Sequence, residues 1–377
     1  MGENISHGRR RYIDLQVRRD LERRMVFVAG ARQVGKTTFA QSLPDARAGY
    51  LNWDVPRDRE RILRRTLPAG RLWVFDELHK FRGWRNYLKG VWDGRATGQR
   101  ILVTGSARLD FYRFGGDSLQ GRYHLLRLHP LSVAELGAAS ASDWKGLRTL
   151  GGFPEPFFGG SARGAKRWST EYRNLLIREE LVSLERVDDV GRLELLALRL
   201  PELVGAPLSI NSLREDLEVS HNTLSRWVML LERLYALVLI RPFGSPRVRA
   251  VKKIPKHYHL DWTLPPSPGA SFENLVAIHL LKWVHFRQDV EGLDLELRYF
   301  RDLDGREVDF VVTDRRKPVL MVECKLTDAP VDRAVRFLKR KFSDCTAWQI
   351  HAEGSADYQT PEGIRVAPAV RLLETLV

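Results

Sequence analysis

The chain is predicted to be an α/β protein of several domains, the first built on a parallel sheet with alternating helices. Three observations predict this. A wholly apolar run, Met25–Ala29, passes into a glycine-bearing turn and then a helix. Further apolar runs of strand length, RLWVFD and RILVTG, recur with helical stretches between them. After residue 262 the pattern restarts as helix, three strands, helix and strand. At 377 residues the chain is long enough for two or three separate cores.

The first element is RMVFVAGARQVGKTTFA. Its strand ends in G-x-x-x-x-G-K-T, in which glycines let backbone N–H groups wrap phosphate oxygens. Gly30, Ala31, Arg32, Gln33, Val34, Gly35, Lys36, Thr37 and Thr38 are therefore expected to line a nucleotide site. Lys36 would reach the β- and γ-phosphates of ATP, and the Thr37 hydroxyl would ligate Mg²⁺. Tyr50–Trp53 supplies a second strand. The third, in RLWVFDELHK, delivers Asp76 to the Mg²⁺ shell and Glu77 to orient or deprotonate the attacking water. RILVTGSA ends in hydroxyls placed to sense the γ-phosphate; Ser106 and Thr104 are equally defensible there. The β-α-β alternation implies right-handed crossovers.

Together GARQVGKTT, DELHK, TGSAR and GGFPEPF resemble the AAA-type ATPases of prokaryotes whose C-terminal half carries a nuclease-like fold. The resemblance spans nearly the whole chain and is strongest at the phosphate loop and at residues 305–325. Ala31 departs from it, because that family usually has proline there. The resemblance implies a trans-acting arginine, best matched by Arg122, with Arg108 and Arg113 as rivals. It also implies a homo-oligomer, up to a hexameric ring, and places Gly152 and Pro154 near the adenine.

Ser169 to Leu200 reads as an amphipathic, charged helical lid, closed by Pro201. LSINSLREDLEVSHNTLSRWVMLLERLYALVLIRPF then reads as helix-turn-helix with a trailing wing, a winged helix. Ser209 or Asn211 is expected to cap the first helix, and Asn222 or Thr223 to start the second. His221, Asn222, Ser225 and Arg226 would face DNA. Arg247, Arg249, Lys252, Lys253 and Lys256 would decorate the wing.

SFENLVAIHLLKWV predicts an amphipathic helix carrying Glu273, followed by strands ELRYFRD, GREVDFVV and VLMVECKL, helix DRAVRFLKRKF and strand AWQIHA. This order resembles the core of PD-(D/E)xK nucleases. A three-residue tip at Arg315–Lys317 would set Asp309 across from Glu323, with Lys325 on the same face. Two carboxylates so close repel, and burying them costs several kcal/mol unless a cation lies between. Mg²⁺, or Mn²⁺ in its place, is the expected cation, with Lys325 positioning a water. The resemblance adds Glu273 as the third, helix-borne acid.

The domains expected are an AAA-type ATPase domain at 1–145, a helical lid at 146–200, a winged helix at 201–262 and a nuclease-like domain at 263–377. Net charge is +14 and uneven: residues 1–145 carry 27 Lys/Arg against 15 Asp/Glu, the remainder 34 against 32. A basic first third favours a polyanion partner, here single-stranded or branched DNA read with low sequence specificity. Two cysteines give no disulfide framework, and no apolar run spans a membrane. A cytoplasmic protein is expected. The function expected is ATP hydrolysis coupled to DNA translocation, remodelling or Mg²⁺-dependent cutting. The alternative is an ATP-gated signalling switch whose terminal domain binds a protein and cuts nothing.

Overall fold

The structure, a computed structural model, describes residues 10–106, 119–137, 141–181, 189–244 and 254–377. It forms two compact units: Met1–Pro130 with Phe153–Glu155, and Leu131–Gly152 with Pro156–Val377.

The first unit holds β1 (Met25–Ala29), β2 (Tyr50–Asn52), β3 (Leu72–Asp76), β4 (Arg100–Gly105) and β5 (Tyr123–Arg127). They pair in the order β2-β3-β4-β1-β5, every pair parallel. All five β1 residues are buried, as a continuous apolar strand covered on both faces should be. Helices Lys36–Ser42, Pro56–Leu63 and Trp84–Asp93 alternate with the strands. On one face Phe27 stacks on Tyr123 at 4.3 Å, and Trp84 and Leu88 join the same core. Because the strands run one way, Ala29, Asp76 and Gly105 end at a single edge, where open α/β sheets bind ligands.

The second unit carries an eight-stranded sheet, ordered β12-β13-β11-β10-β9-β8-β6-β7. Its strands are β6 (Val238–Pro242), β7 (Lys256–Tyr258), β8 (Leu295–Arg301), β9 (Glu307–Asp314), β10 (Lys317–Lys325), β11 (Thr346–His351), β12 (Tyr358–Gln359) and β13 (Ile364–Pro368). Ahead of it, helices Ile210–Asp216 and His221–Arg233 meet at a turn where Glu218 is left-handed, φ 51°. Ser209 caps the first helix. The second starts at His221, a residue or two earlier than expected, because the Ser220 hydroxyl accepts the Thr223 N–H at 3.0 Å. Leu224, Val228, Leu231 and Leu234 lie buried in one cluster with Leu193, Leu196 and Leu213. β6 and β7 pair antiparallel, and β6 also continues into the large sheet by pairing parallel with β8.

Two local expectations are corrected. Helix Pro268–Glu291 is embedded rather than amphipathic, with residues 274 to 282 all buried. The β9–β10 tip is two residues long, Arg315 and Arg316, both left-handed at φ 46° and 66°. A bulge between Pro318 and Leu320 then supplies the extra residue. The two departures cancel, and the register Phe310↔Val322 leaves Asp309 and Glu323 facing each other.

Candidate functional site

In the first unit, the loop after β1 closes tightly. A Cβ on Gly30 would lie 2.3 Å from the Leu128 carbonyl oxygen, and Gly35 sits at φ 96°, so both positions require glycine. Lys36 is buried and folds back over the loop, donating to the carbonyls of Gly30 (3.0 Å) and Ala31 (2.7 Å). Ala31 and Val34 are buried within the loop. Thr37 Oγ1 donates to Asp76 Oδ2 at 2.7 Å. Tyr50 donates to the same oxygen at 2.6 Å, and Thr104, paired with Asp76 across β3–β4, donates to Oδ1. Burial, with Asp76 adjacent, pushes the Tyr50 hydroxyl well above its ordinary pKa.

Glu77 follows β3 in a left-handed conformation, φ 56°, with its carboxylate 3.2 Å from Lys80 Nζ. The two candidate hydroxyls have separate partners: Thr104 meets Asp76, and Ser106 meets His79 Nε2 at 3.2 Å. Arg122 precedes β5 and pairs with Asp93 at 3.1 Å. It neighbours Met25, at the start of β1, and so lies at the sheet end opposite the phosphate loop. Arg108 and Arg113 lie outside the described residues. Pro154 stands against the loop, its Cγ 3.5 Å from a Cβ placed on Gly35. Gly152 has another reason to be glycine: a Cβ there would lie 2.2 Å from the buried Trp262 ring.

Sequence reasoning missed Arg11, whose guanidinium donates to the carbonyls of Val34 (2.9 Å) and His129. An arginine far from the motif in sequence carries no local signal. The sequence marks Tyr50 only as a strand residue; no pattern marks its hydroxyl.

In the second unit the hairpin acids do meet. Asp309 N–H donates to Glu323 Oε2 at 3.3 Å, and Cys324 N–H donates to Asp309 Oδ2 at 2.9 Å. Lys325 Nζ bridges Glu323 (2.7 Å) and Asp332 (3.1 Å). Glu273 joins from its helix and accepts the Tyr258 hydroxyl at 2.6 Å. The cation among them is Lys256. It is 1% exposed and lies 2.5 Å from Glu307, 3.4 Å from Glu273 and 3.9 Å from Asp309. Burial alone would lower its pKa, but the surrounding carboxylates raise it above the ordinary lysine value, so it stays an ammonium. Burial pushes Asp309 well above, and Glu323 up to about 7.

This corrects one expectation: Lys256 is interior and decorates no wing. Among the described residues no three His, Cys, Asp or Glu side chains are placed to hold a metal ion, the expected Glu273, Asp309 and Glu323 included. A protein ammonium already stands between the acids. The signal was available, since alternation along Lys256-His257-Tyr258 puts Lys256 and Tyr258 on one face.

On helix His221–Arg233, His221, Asn222 and Arg226 are exposed and Ser225 is half-buried. Arg247, Arg249, Lys252 and Lys253 lie outside the described residues. No helix among the described residues is long and apolar enough to cross a membrane.

Residues 22–137 match the family model of an AAA domain. The match and the loop geometry support a P-loop ATPase-like fold for the first unit. Residues 142–265 and 268–372 of the same chain match two domains of unknown function, DUF8612 and DUF4143. The chain is 26% identical to uncharacterized proteins of Mycobacterium tuberculosis and Mycobacterium bovis over 338 residues, 82% of this chain and 75% of theirs. Among solved structures it is similar to the Walker-type ATPase of Pyrococcus abyssi, with 15% identity, TM-score 0.43, and coverage of 67% of this chain and 93% of that one. The DNA clamp loader delta protein of Bacillus subtilis is more distant, with 10% identity, TM-score 0.27, and coverage of 58% and 88%. TM-scores this low carry neither fold nor activity across.

Proposed function

We propose that the chain hydrolyses ATP and uses the turnover to move along or remodel DNA. The observation that carries the nucleotide reading is the convergence of Lys36, Thr37 and Asp76 at one sheet edge. Thr37 and Asp76 are hard oxygen donors 2.7 Å apart, and they suit Mg²⁺. When bound, Mg²⁺ neutralises charge developing on the phosphates. The chain's own groups do the rest. The residue 30–38 loop grips phosphate oxygens through its N–H groups, and Lys36 exchanges its carbonyl partners for them. Glu77 orients the attacking water and Ser106 or Thr104 reads the γ-phosphate. Pro154 borders the nucleotide on the Gly35 side. Arg122 cannot serve its own loop from the far end of the sheet, so it acts on a neighbouring subunit of a homo-oligomeric ring.

Charge supports DNA as the partner, since residues 1–145 hold 27 basic against 15 acidic side chains. The two-helix unit is read as a winged helix, presenting His221, Asn222, Ser225 and Arg226 to the duplex or single strand. The test is ATP turnover by wild type and Lys36→Ala, with and without single-stranded, duplex and branched DNA, across salt. Stimulation by DNA that falls steeply with salt and vanishes in Lys36→Ala is expected. Turnover in Lys36→Ala equal to wild type defeats the nucleotide reading, and turnover indifferent to all three DNAs defeats the DNA reading.

One observation favours a second reading, an ATP-gated switch with an inert nuclease-like domain that binds a protein: the buried ammonium of Lys256 among the hairpin acids.

A further inference from the structure

Four carboxylates, Glu273, Glu307, Asp309 and Glu323, gather beside the β9–β10 hairpin, and three of them lie within 4 Å of one buried amine. The strand layout resembles that of metal-dependent nucleases, so the question is which cation this particular set is built to hold. A divalent metal of the magnesium type needs near-octahedral oxygen ligands at about 2.0–2.1 Å and keeps several waters. Most of the oxygens here are otherwise engaged. Asp309 Oδ2 accepts the Cys324 N–H and its Oδ1 faces Lys256. Glu273 Oε1 takes both the Tyr258 hydroxyl and Lys256. Glu323 gives one oxygen to Lys325 and the other to the Asp309 N–H. The residues do not fit a metal.

We propose that Lys256 is the permanent counter-cation of these acids, so that the hairpin holds together without a divalent ion and the domain does not cut. Its placement is not accidental to the fold. β7 pairs with β6 through Ile240↔Lys256, and β6 enters the large sheet through Arg241↔Arg298. The lysine therefore arrives on the same sheet as the acids, with Tyr258 on its face bonding Glu273 and His257 on the other bonding the Leu200 carbonyl. An ammonium on a strand cannot exchange with solvent ions as a bound metal does. Removing it leaves Glu273 and Asp309 together in a buried site without their cation, a destabilising change, unless another cation enters; Glu307 keeps Arg301 at 3.4 Å.

This inference does not rest on the nucleotide reading, and it is tested on the full chain with no nucleotide present. Mn²⁺ binding is followed by calorimetry and by the Mn²⁺ paramagnetic resonance signal, with thermal unfolding in EDTA and in Mn²⁺. Wild type should show no Mn²⁺ binding that depends on Asp309, and no shift in unfolding between the two conditions that Asp309→Asn removes. Lys256→Met should unfold at lower temperature in EDTA, gain a Mn²⁺ site at least about tenfold tighter than any in wild type, and recover stability with the metal. Should Lys256→Met fail to fold, Lys256→Arg keeps the charge and should fold. A wild-type Mn²⁺ site abolished by Asp309→Asn overturns the proposal. So does a Lys256→Met protein that is as stable as wild type and takes up no metal. Failure of either kind leaves ATP turnover untouched.

Discussion

Asp76→Asn separates what Asp76 does for the fold from what it does for the nucleotide. The carboxylate is buried and accepts three hydroxyl donors, Thr37 and Tyr50 on Oδ2 and Thr104 on Oδ1. Hydrogen bonds to a charged group are worth about 1.5–3 kcal/mol and neutral ones about 0.5–1.5. The amide keeps one oxygen for Thr37 and Tyr50, and its nitrogen can donate to the Thr104 oxygen. Each bond thus weakens by about 1 kcal/mol, or about 3 kcal/mol in all. Against this, the variant no longer buries a charge, a relief of similar size. Stability without ligand should therefore move by no more than about 1 kcal/mol. Nucleotide linkage should change far more. At a hundredfold excess over its Kd, Mg·ATP stabilises wild type by about 2.7 kcal/mol. Losing a charged ligand and its orientation weakens metal binding by about 10–100-fold or more, which removes most of that gain. Urea unfolding with and without Mg·ATP, together with phosphate release, measures both. If Asp76→Asn is as stable as wild type but turns over ATP at its rate, with full stabilisation by Mg·ATP, Asp76 has no part in the nucleotide site.

For Arg122→Ala, loss of the half-exposed pair with Asp93 should cost at most about 1 kcal/mol. Turnover should fall about 10³-fold with ATP binding retained; undiminished turnover assigns the trans role to another arginine. His279 predicts a pH dependence of the second unit. Its Nδ1 bonds the Leu275 carbonyl and its Nε2 accepts the Val133 N–H, so the ring is held neutral, and burial pushes it down to about 4. Above pH 6.5 both folded and unfolded rings are neutral and stability is full. Between 6.5 and about 4 only the unfolded chain takes the proton, so up to about 3 kcal/mol is lost, levelling off below. His257 and His259, lowered to about 4 and about 3 by burial, act in the same direction. The difference in stability between wild type and His279→Gln, followed by denaturant unfolding from pH 7 to 4, should shrink as pH falls; a constant difference refutes the buried neutral ring.

The phosphate loop was legible because its chemistry is contiguous. Nine residues, running from the strand exit into the first turn of the helix, specify the glycine turn and the lysine, and nothing distant is needed to read them. The hairpin was legible in the same way. Alternation sets faces, so Asp309 and Glu323 meet even though the tip is one residue shorter than expected and a bulge restores the register. The burial of helix Pro268–Glu291 is not legible in the sequence, because Lys282 and His279 mimic a polar face. In the fold, Lys282 is buried against Glu135 and Ser132, and His279 against the backbone.

By itself, then, the sequence determined the local machinery: which strands exist, where the phosphate loop turns, which residues share a face. The tertiary structure alone decided what stands across from those residues. Arg11 reaches the loop carbonyl of Val34 from 23 positions away, and Thr104 reaches Asp76 from 28. Lys256, 51 positions ahead of Glu307, stands among acids whose spacing alone points to a metal. A charged side chain announces its sign in the sequence, but its counter-charge is whatever the packed chain brings within a few ångströms, and burial makes that neighbour decisive.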